Sequence, residues 1–133
     1  MSVKKHEPKK LMSNVVKKIL QQEYPKLQDY CHLQHQNARQ WIFWLSQQEE
    51  HVRPIYDEHS NCFMLPVWCE DKSGFIKTMK LKGVEAATAF EHSVEWAQEF
   101  GYKKGTCPNV EIIVNKAVML PCHYRLSPKK IVP

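Results

Sequence analysis

The chain carries acidic residues and a lysine in a pattern that suits metal-assisted hydrolysis. Asp57 follows a short apolar run, and Glu70, Asp71 and Lys72 follow a second, longer one. Carboxylate oxygens are the ligands that Mg²⁺ prefers, and a lysine near the ion can help to activate water. The same stretch, from Glu70 to Gly74, also has the composition of an ordinary hairpin turn.

This pattern resembles that of the PD-(D/E)xK nucleases. The resemblance implies that Asp57 and Glu70 share one Mg²⁺ and that Lys72 is the basic partner. The chain departs from the family pattern, because Tyr56 and not a proline precedes Asp57. The family also places its two carboxylates on the second and third strands, whereas Asp57 ends the first predicted strand. A Mg²⁺-dependent nuclease is therefore the third of three functions that we consider.

Cysteine and histidine residues form no metal motif in the sequence. The pairs with ligand-like spacing are Cys31 and His35, His59 and Cys62, and Cys122 and His123. No Cys-x-x-Cys occurs, and structural zinc sites usually contain such a pair. A Cys–His nucleophile would need two residues that meet only in the folded chain. We therefore predict no catalytic residue, no metal site and no cofactor.

The composition describes one soluble domain. The chain has 133 residues, of which 43% are hydrophobic and 25% charged, which is enough for a core. The apolar runs are shorter than the ~20 residues that a membrane-spanning helix needs. We expect no signal peptide, and we interpret the five cysteines as reduced thiols of a cytoplasmic or nuclear protein.

Positive charge is concentrated at the two ends of the chain. Residues 1–18 contain six lysines and one acidic residue, and the last nine residues contain Arg125, Lys129 and Lys130. We predict a flexible basic tail over residues 1–10, a domain over residues 11–124 and a basic tail over residues 125–133. Ser127–Lys130 resembles the Ser-Pro-Lys-Lys element of histone-type tails. Basic ends attract polyanions, but they also act simply as solubilising tails.

Hydrophobic spacing predicts an α+β fold with the element order α-α-β-β-β-α-β. The elements are two helices at 11–24 and 26–50, a three-stranded antiparallel meander at 52–56, 62–69 and 75–82, a helix at 84–100 and a final strand at 110–120. The second helix is apolar on every side from Trp41 to Leu45, which predicts burial or self-association through it. All four tryptophans lie in apolar patterns that favour the core.

The sequence favours a small non-enzymatic accessory protein that binds DNA or RNA, of viral or mobile-element origin. Its contacts would be lysines at the chain ends and on the third strand: Lys9, Lys10, Lys77, Lys80, Lys82, Lys129 and Lys130. The alternative is a protein-interaction module, such as an inhibitor, an adaptor or an assembly subunit. It would use Phe43 and Trp44 on the second helix or the exposed face of the helix at 84–100. Exposure of these two aromatic residues would favour a protein partner.

Overall fold

The computed structural model describes residues 13–48 and 52–131 and has an α+β fold. The helices in these ranges are α1 (Asn14–Glu23), α2 (Leu27–Ser46), α3 (Lys72–Leu81), α4 (Ser93–Glu99) and α5 (Pro108–Lys116). The strands are β1 (Val52–Pro54), β2 (Met64–Cys69), β3 (Ala87–Thr88) and β4 (Ala117–Pro121). The predicted fold class is confirmed.

The first two helices confirm the sequence prediction. Ser13 caps α1, because its hydroxyl accepts a hydrogen bond of 3.3 Å from the amide of Val16. Pro25 ends the α-helical geometry, and residues Tyr24–Lys26 form one 3₁₀ turn. The chain then continues directly into α2, so α1 and α2 form one nearly continuous rod.

The four strands form one antiparallel sheet in the order β1-β2-β4-β3. The predicted pairing of the first two strands is confirmed, with Val52 opposite Cys69 and Pro54 opposite Val67. Residues of β2 alternate between buried and half-buried, as expected of a strand with one face in the core. The core lies on that face, where Trp41 of α2 and Met79 of α3 are fully buried against it.

The predicted third strand, residues 75–82, is wrong, because these residues belong to α3 and its C-cap. The reason is a capping signal at the preceding turn. The Asp71 carboxylate accepts a 2.9 Å hydrogen bond from the amide of Gly74, which starts a helix at Lys72. Phe75 and Met79 then lie on one helical face, although their spacing also fits a strand.

The last two predicted elements are each only half right. In the segment 84–100, Ala87–Thr88 is a strand paired with β4, and only Ser93–Glu99 is helical. Phe90 has a φ of 57°, in the left-handed region, which interrupts any continuous helix there. In the segment 110–120, the first half is helical because Pro108 begins α5, and the strand starts only at Ala117.

The predicted C-terminal tail takes part in the packing. The Asn37 side-chain amide lies within 3.3 Å of three main-chain carbonyls, those of Cys122, His123 and Leu126. Pro128 is buried further along this segment. Residues 122–131 therefore pack alongside α2. They form one wall of a groove at the end of that helix.

No helix within residues 13–48 and 52–131 combines the length and the apolar character needed to cross a membrane.

Candidate interaction surfaces

The helical rod begins with an arm that buries none of its residues. We define the arm as residues 13–29, all of which are exposed. Residues 14–29 are helical, and sixteen helical residues extend over about 25 Å. The free energy that holds a short helix together in water comes mainly from packing its apolar face. The arm therefore presents an apolar face that the described part of the chain leaves uncovered.

That face is a stripe of four aliphatic residues on α1. Val15, Val16, Ile19 and Leu20 are between 43% and 67% exposed. Their spacing of one, three and four residues places them on one side of the helix. The predicted amphipathic pattern is thus present in α1. The pattern cannot indicate which molecule covers the face.

The base of the arm is held in place by polar and aromatic contacts. Glu23 accepts hydrogen bonds from the Lys26 ammonium at 2.9 Å and from the Tyr30 hydroxyl at 2.8 Å. These two bonds hold the pKa of Glu23 below its usual value, the Lys26 bond having the larger effect. The Tyr30 ring stacks on Tyr124, with 4.0 Å between ring centroids. The arm therefore leaves the domain in a defined direction.

A second surface is a groove between the last turns of α2 and the segment at Pro128. We call this the aromatic groove. It encloses about 640 Å³ and is lined by Arg39, Gln40, Phe43, Trp44, Gln47, Gln48, Pro128 and Lys129. Phe43 is 69% exposed, whereas Trp44 is partly covered by its edge-to-face contact with Trp41. The Lys82 ammonium lies 5.8 Å from the centre of the Trp44 ring.

The aromatic groove brings together residues that the sequence assigned to two different functions. Phe43 and Trp44 were the predicted protein contacts, and Lys129 was a predicted nucleic-acid contact. Lys82, another predicted nucleic-acid contact, lies outside the lining, near the Trp44 ring. The lining described above contains two cationic side chains and no acidic one. Arg39 is one of these cations, and the sequence analysis did not predict it. Its position one helical turn before Phe43 could have indicated that the two side chains lie on the same face.

The remaining predicted lysines lie elsewhere. Lys77 and Lys80 are exposed on α3, and Lys80 borders a separate cleft that also contains Glu85. Lys130 is exposed in the 3₁₀ turn next to Lys129. Lys9 and Lys10 lie outside the described residues. The predicted lysine-bearing strand is wrong, because Lys77 and Lys80 are helical and Lys82 is the C-cap of α3.

A third surface surrounds α4 and combines aromatic and acidic side chains. We call it the α4 surface, and its residues are Glu91, Glu95, Trp96, Glu99 and Phe100. The prediction that Trp96 belongs to the core is wrong, since it is 63% exposed, and Phe100 is 90% exposed. The His92 ring lies 5.9 Å from Trp96 and also forms an ion-pair contact of 2.9 Å with Glu95. The sequence analysis named the exposed face of a helix at 84–100 as a possible protein contact, but it placed Trp96 in the core because it predicted one long, half-buried helix here.

The proposed nuclease residues do not come together. Pro54 pairs with Val67, and the amide of Ile55 bonds to the carbonyl of Pro66, so Asp57 lies level with the start of β2. Glu70 follows the other end of β2, roughly 20 Å away at ~3.3 Å per residue. Two residues so far apart cannot share one Mg²⁺, whose oxygen ligands lie within about 2.6 Å of the ion.

Lys72 does not have the role of basic partner that the nuclease pattern assigns to it. Its ammonium donates a 2.9 Å hydrogen bond to the carbonyl of Val114 in α5. This bond links the start of α3 to α5. A lysine held by a main-chain carbonyl in this way contributes to packing and does not face a metal site.

One cysteine–histidine pair does form in the fold, and it is not one of the three sequence pairs. The Cys62 sulfur lies 3.2 Å from Nδ1 of His35, which is also 2.9 Å from the Tyr56 hydroxyl. Cys62 is only 3% exposed, so the pair fastens the 57–62 loop to α2 and presents no nucleophile. Within the described ranges, no three His, Cys, Asp or Glu residues are placed to hold a metal ion.

The other core thiols are less ionisable than ordinary cysteines. Burial is the main cause, and it raises the pKa of Cys69 to about 11 and that of Cys122 to about 12. Both residues are fully buried. They therefore act as small apolar side chains of the core.

The sequence matches no protein-family model, and no curated protein is significantly similar to it. The arm, the aromatic groove and the α4 surface are therefore the basis for assigning a function.

Proposed function

We propose that this chain is a protein-interaction module whose principal contact is the exposed stripe of the arm. The observation that carries the proposal is that α1 has no buried residue although four of its aliphatic side chains share one face. Exposed apolar faces of this kind are typical of protein–protein contact sites. An amphipathic helix that lies in an apolar groove of its partner is a common mode of recognition.

The exposure of Phe43 supports the same proposal. An exposed aromatic side chain in a groove beside a buried core is the usual form of an interface anchor, because it buries a large rigid surface on binding. The arm and the aromatic groove lie at opposite ends of the rod formed by α1 and α2. A single partner could contact both only if it followed the rod, so we assign the main contact to the arm.

The test compares two double variants of α1 that add the same charge on different faces. Ile19→Glu with Leu20→Glu places two carboxylates in the stripe, whereas Asn14→Glu with Gln21→Glu places them on the opposite side of the helix. Each variant and the natural chain are immobilised and exposed to a cell extract that has been treated with nuclease. We expect proteins retained by the natural chain and by the opposite-side variant to be lost from the stripe variant. Equal retention by all three would contradict the proposal.

A second candidate function, nucleic-acid binding, is supported by the aromatic groove. Phe43 offers an exposed ring on which a base can stack, and Arg39 and Lys129 are cations of the same lining that are suited to phosphate contacts. The basic N-terminal residues of the sequence would add sequence-neutral attraction. This candidate favours single strands, because their bases are free to stack.

Fluorescence anisotropy with single-stranded DNA, double-stranded DNA and RNA tests this second candidate. If it is correct, the affinity for single strands falls steeply between about 50 and about 200 mM salt. Phe43→Ala then lowers that affinity by about tenfold, as expected for one lost stacking contact. Lys77→Ala, which removes a lysine outside the groove, has a much smaller effect. Absence of binding at the lower salt concentration would exclude this candidate.

A further inference from the structure

We propose that the arm of one copy of this chain packs on the α4 surface of a second copy. This inference rests on the proposed function and names the partner. Both surfaces expose apolar side chains in the described structure, and their charges are opposite.

The arm contributes aliphatic side chains beside positive charge. Lys17 precedes Leu20 by three residues, and Lys18 follows Val15 by three, so each lysine is a helical neighbour of one stripe residue. No acidic residue occurs between Ser13 and Gln22. The outer part of the arm is therefore both apolar and basic.

The α4 surface contributes aromatic side chains beside negative charge. Glu91, Glu95 and Glu99 are separated by four residues each, so they follow one line along the helix and the turn before it. Trp96 and Phe100 are also four residues apart, and they form the adjacent line. Residues 83–102 contain four glutamates and no lysine or arginine.

The arm and the α4 surface are complementary in apolar character and in charge. If the stripe covers Trp96 and Phe100, the lysines at its two edges, Lys17 and Lys18, come near the line of glutamates beside these aromatic residues. Nearby glutamates also line a cleft between α4 and α5, where Glu91, Glu95 and Glu111 accompany a single cation, Lys104. Opposite charges around an apolar contact fix its orientation and oppose incorrect pairings.

The partner surface belongs to another copy because the arm does not reach its own α4 surface. Every residue from 13 to 29 is exposed, so no other part of residues 13–48 and 52–131 covers the stripe or its lysines. Two copies can exchange arms reciprocally, which closes the assembly as a twofold dimer. The contact involves few residues, so we expect a reversible dimer that dissociates on dilution.

The first measurement is the mass in solution over a wide range of protein concentrations, by light scattering or sedimentation. The mass should rise with concentration from the 15.7 kDa of one chain towards twice that value. The stripe variant with glutamates at positions 19 and 20 should remain monomeric. A chain that stays monomeric at every concentration would overturn the inference.

A charge exchange between the surfaces then identifies the contact. Reversal of the arm charges (K17E with K18E) should weaken dimerisation about tenfold, and so should reversal on α4 (E95K with E99K). The chain that carries all four substitutions should recover most of the lost affinity, because the opposite charges face each other again. The control K77E with K80E removes the same charge from α3 and should leave the dimer unchanged.

The outcomes separate this inference from the proposed function. Dimers that respond equally to the control and to the two charge reversals would overturn the inference, as would failure of the fourfold variant to recover. A monomeric chain that still loses a captured protein on stripe substitution would leave the proposed function standing and the second-copy partner rejected. If the stripe variant still forms the dimer and still retains the captured protein, both the second-copy partner and the proposed function are contradicted.

Discussion

The two halves of the helical rod differ sharply in what covers them. Residues 13–29 are exposed throughout, whereas the second half of the rod contains the buried residues Gln34, Asn37, Ala38, Trp41 and Leu45. Both halves have apolar residues at helical spacing, so their sequences predict the same amphipathic behaviour. The difference is that the sheet and the C-terminal segment cover the second half. Amphipathic spacing therefore identifies a face that needs a partner, and only the fold shows where the partner comes from.

The largest expected effect is at Trp41, in the covered half. Trp41→Ala removes a fully buried side chain and the 2.8 Å hydrogen bond that its indole donates to the carbonyl of Pro121. We expect the free energy of unfolding to fall by about 3–5 kcal/mol. Urea denaturation followed by circular dichroism measures it. In the arm, Leu20→Ala should change it by less than about 0.5 kcal/mol, and a large loss there would remove the contrast between the two halves.

The next effect is at Asn37, which joins the covered half to the C-terminal segment. Asn37→Leu should lower the free energy of unfolding by about 1–3 kcal/mol, because buried carbonyls lose their donor. The segment should also detach more often, so trypsin should cleave after Arg125 and Lys129 faster than in the natural chain. Gln36→Leu is the control, because Gln36 is exposed and its side chain bonds only to His32 among the described contacts. Equal cleavage rates in both variants would contradict this role of Asn37.

A smaller effect is expected at Gly74, where a side chain would disturb the cap of α3. A Cβ added to Gly74 would collide with the Asp71 carboxylate, which caps the helix by accepting the amide proton of Gly74. Gly74→Ala should therefore cost about 1 kcal/mol of stability, the usual value of a lost N-cap. Ser73→Ala, at the exposed neighbouring position, should cost less. Thermal unfolding compares the two, and equal values would show that the cap contributes little to α3.

The smallest effect on stability should come from the stripe variant of the arm. Glutamates at positions 19 and 20 remove exposed aliphatic side chains that no part of the described structure covers. At concentrations where the chain is monomeric, its free energy of unfolding should change by no more than about 0.5 kcal/mol. Denaturation of dilute protein checks this. A loss as large as that of Trp41→Ala would mean that the arm packs within its own chain.

The sequence predicted the elements whose local signals agree with their tertiary environment. The two helices and the break between them follow from the apolar spacing and Pro25. The cap at Ser13 was not predicted, and α2 ends at Ser46 and not at the predicted residue 50. The pairing of β1 with β2 follows from two apolar runs separated by turn residues. In these regions, the apolar residues fit the repeat of a helix or the repeat of a strand, but not both.

The prediction failed where the two periods are both present. In residues 75–82, apolar side chains fit a strand and a helix equally well, and the Asp71 cap decides for the helix. The left-handed backbone at Phe90 follows β3, and β3 pairs with β4, which is a contact distant in sequence. The candidate surfaces depend on exposure, and exposure of Trp96 or Val16 is a property of the whole fold.

The junction between α5 and β4 has a consequence for the evolution and engineering of this chain. Lys116 is the last residue of the helix and Ala117 is the first of the strand, so no loop separates them. One residue inserted there would either turn α5 by about 100° relative to the sheet or shift β4 by one position. The shift would move Val118 and Leu120 from the core to solvent. Length variation between relatives should therefore be rare at this point and more frequent in the turn at residues 103–106, where the side chains are exposed.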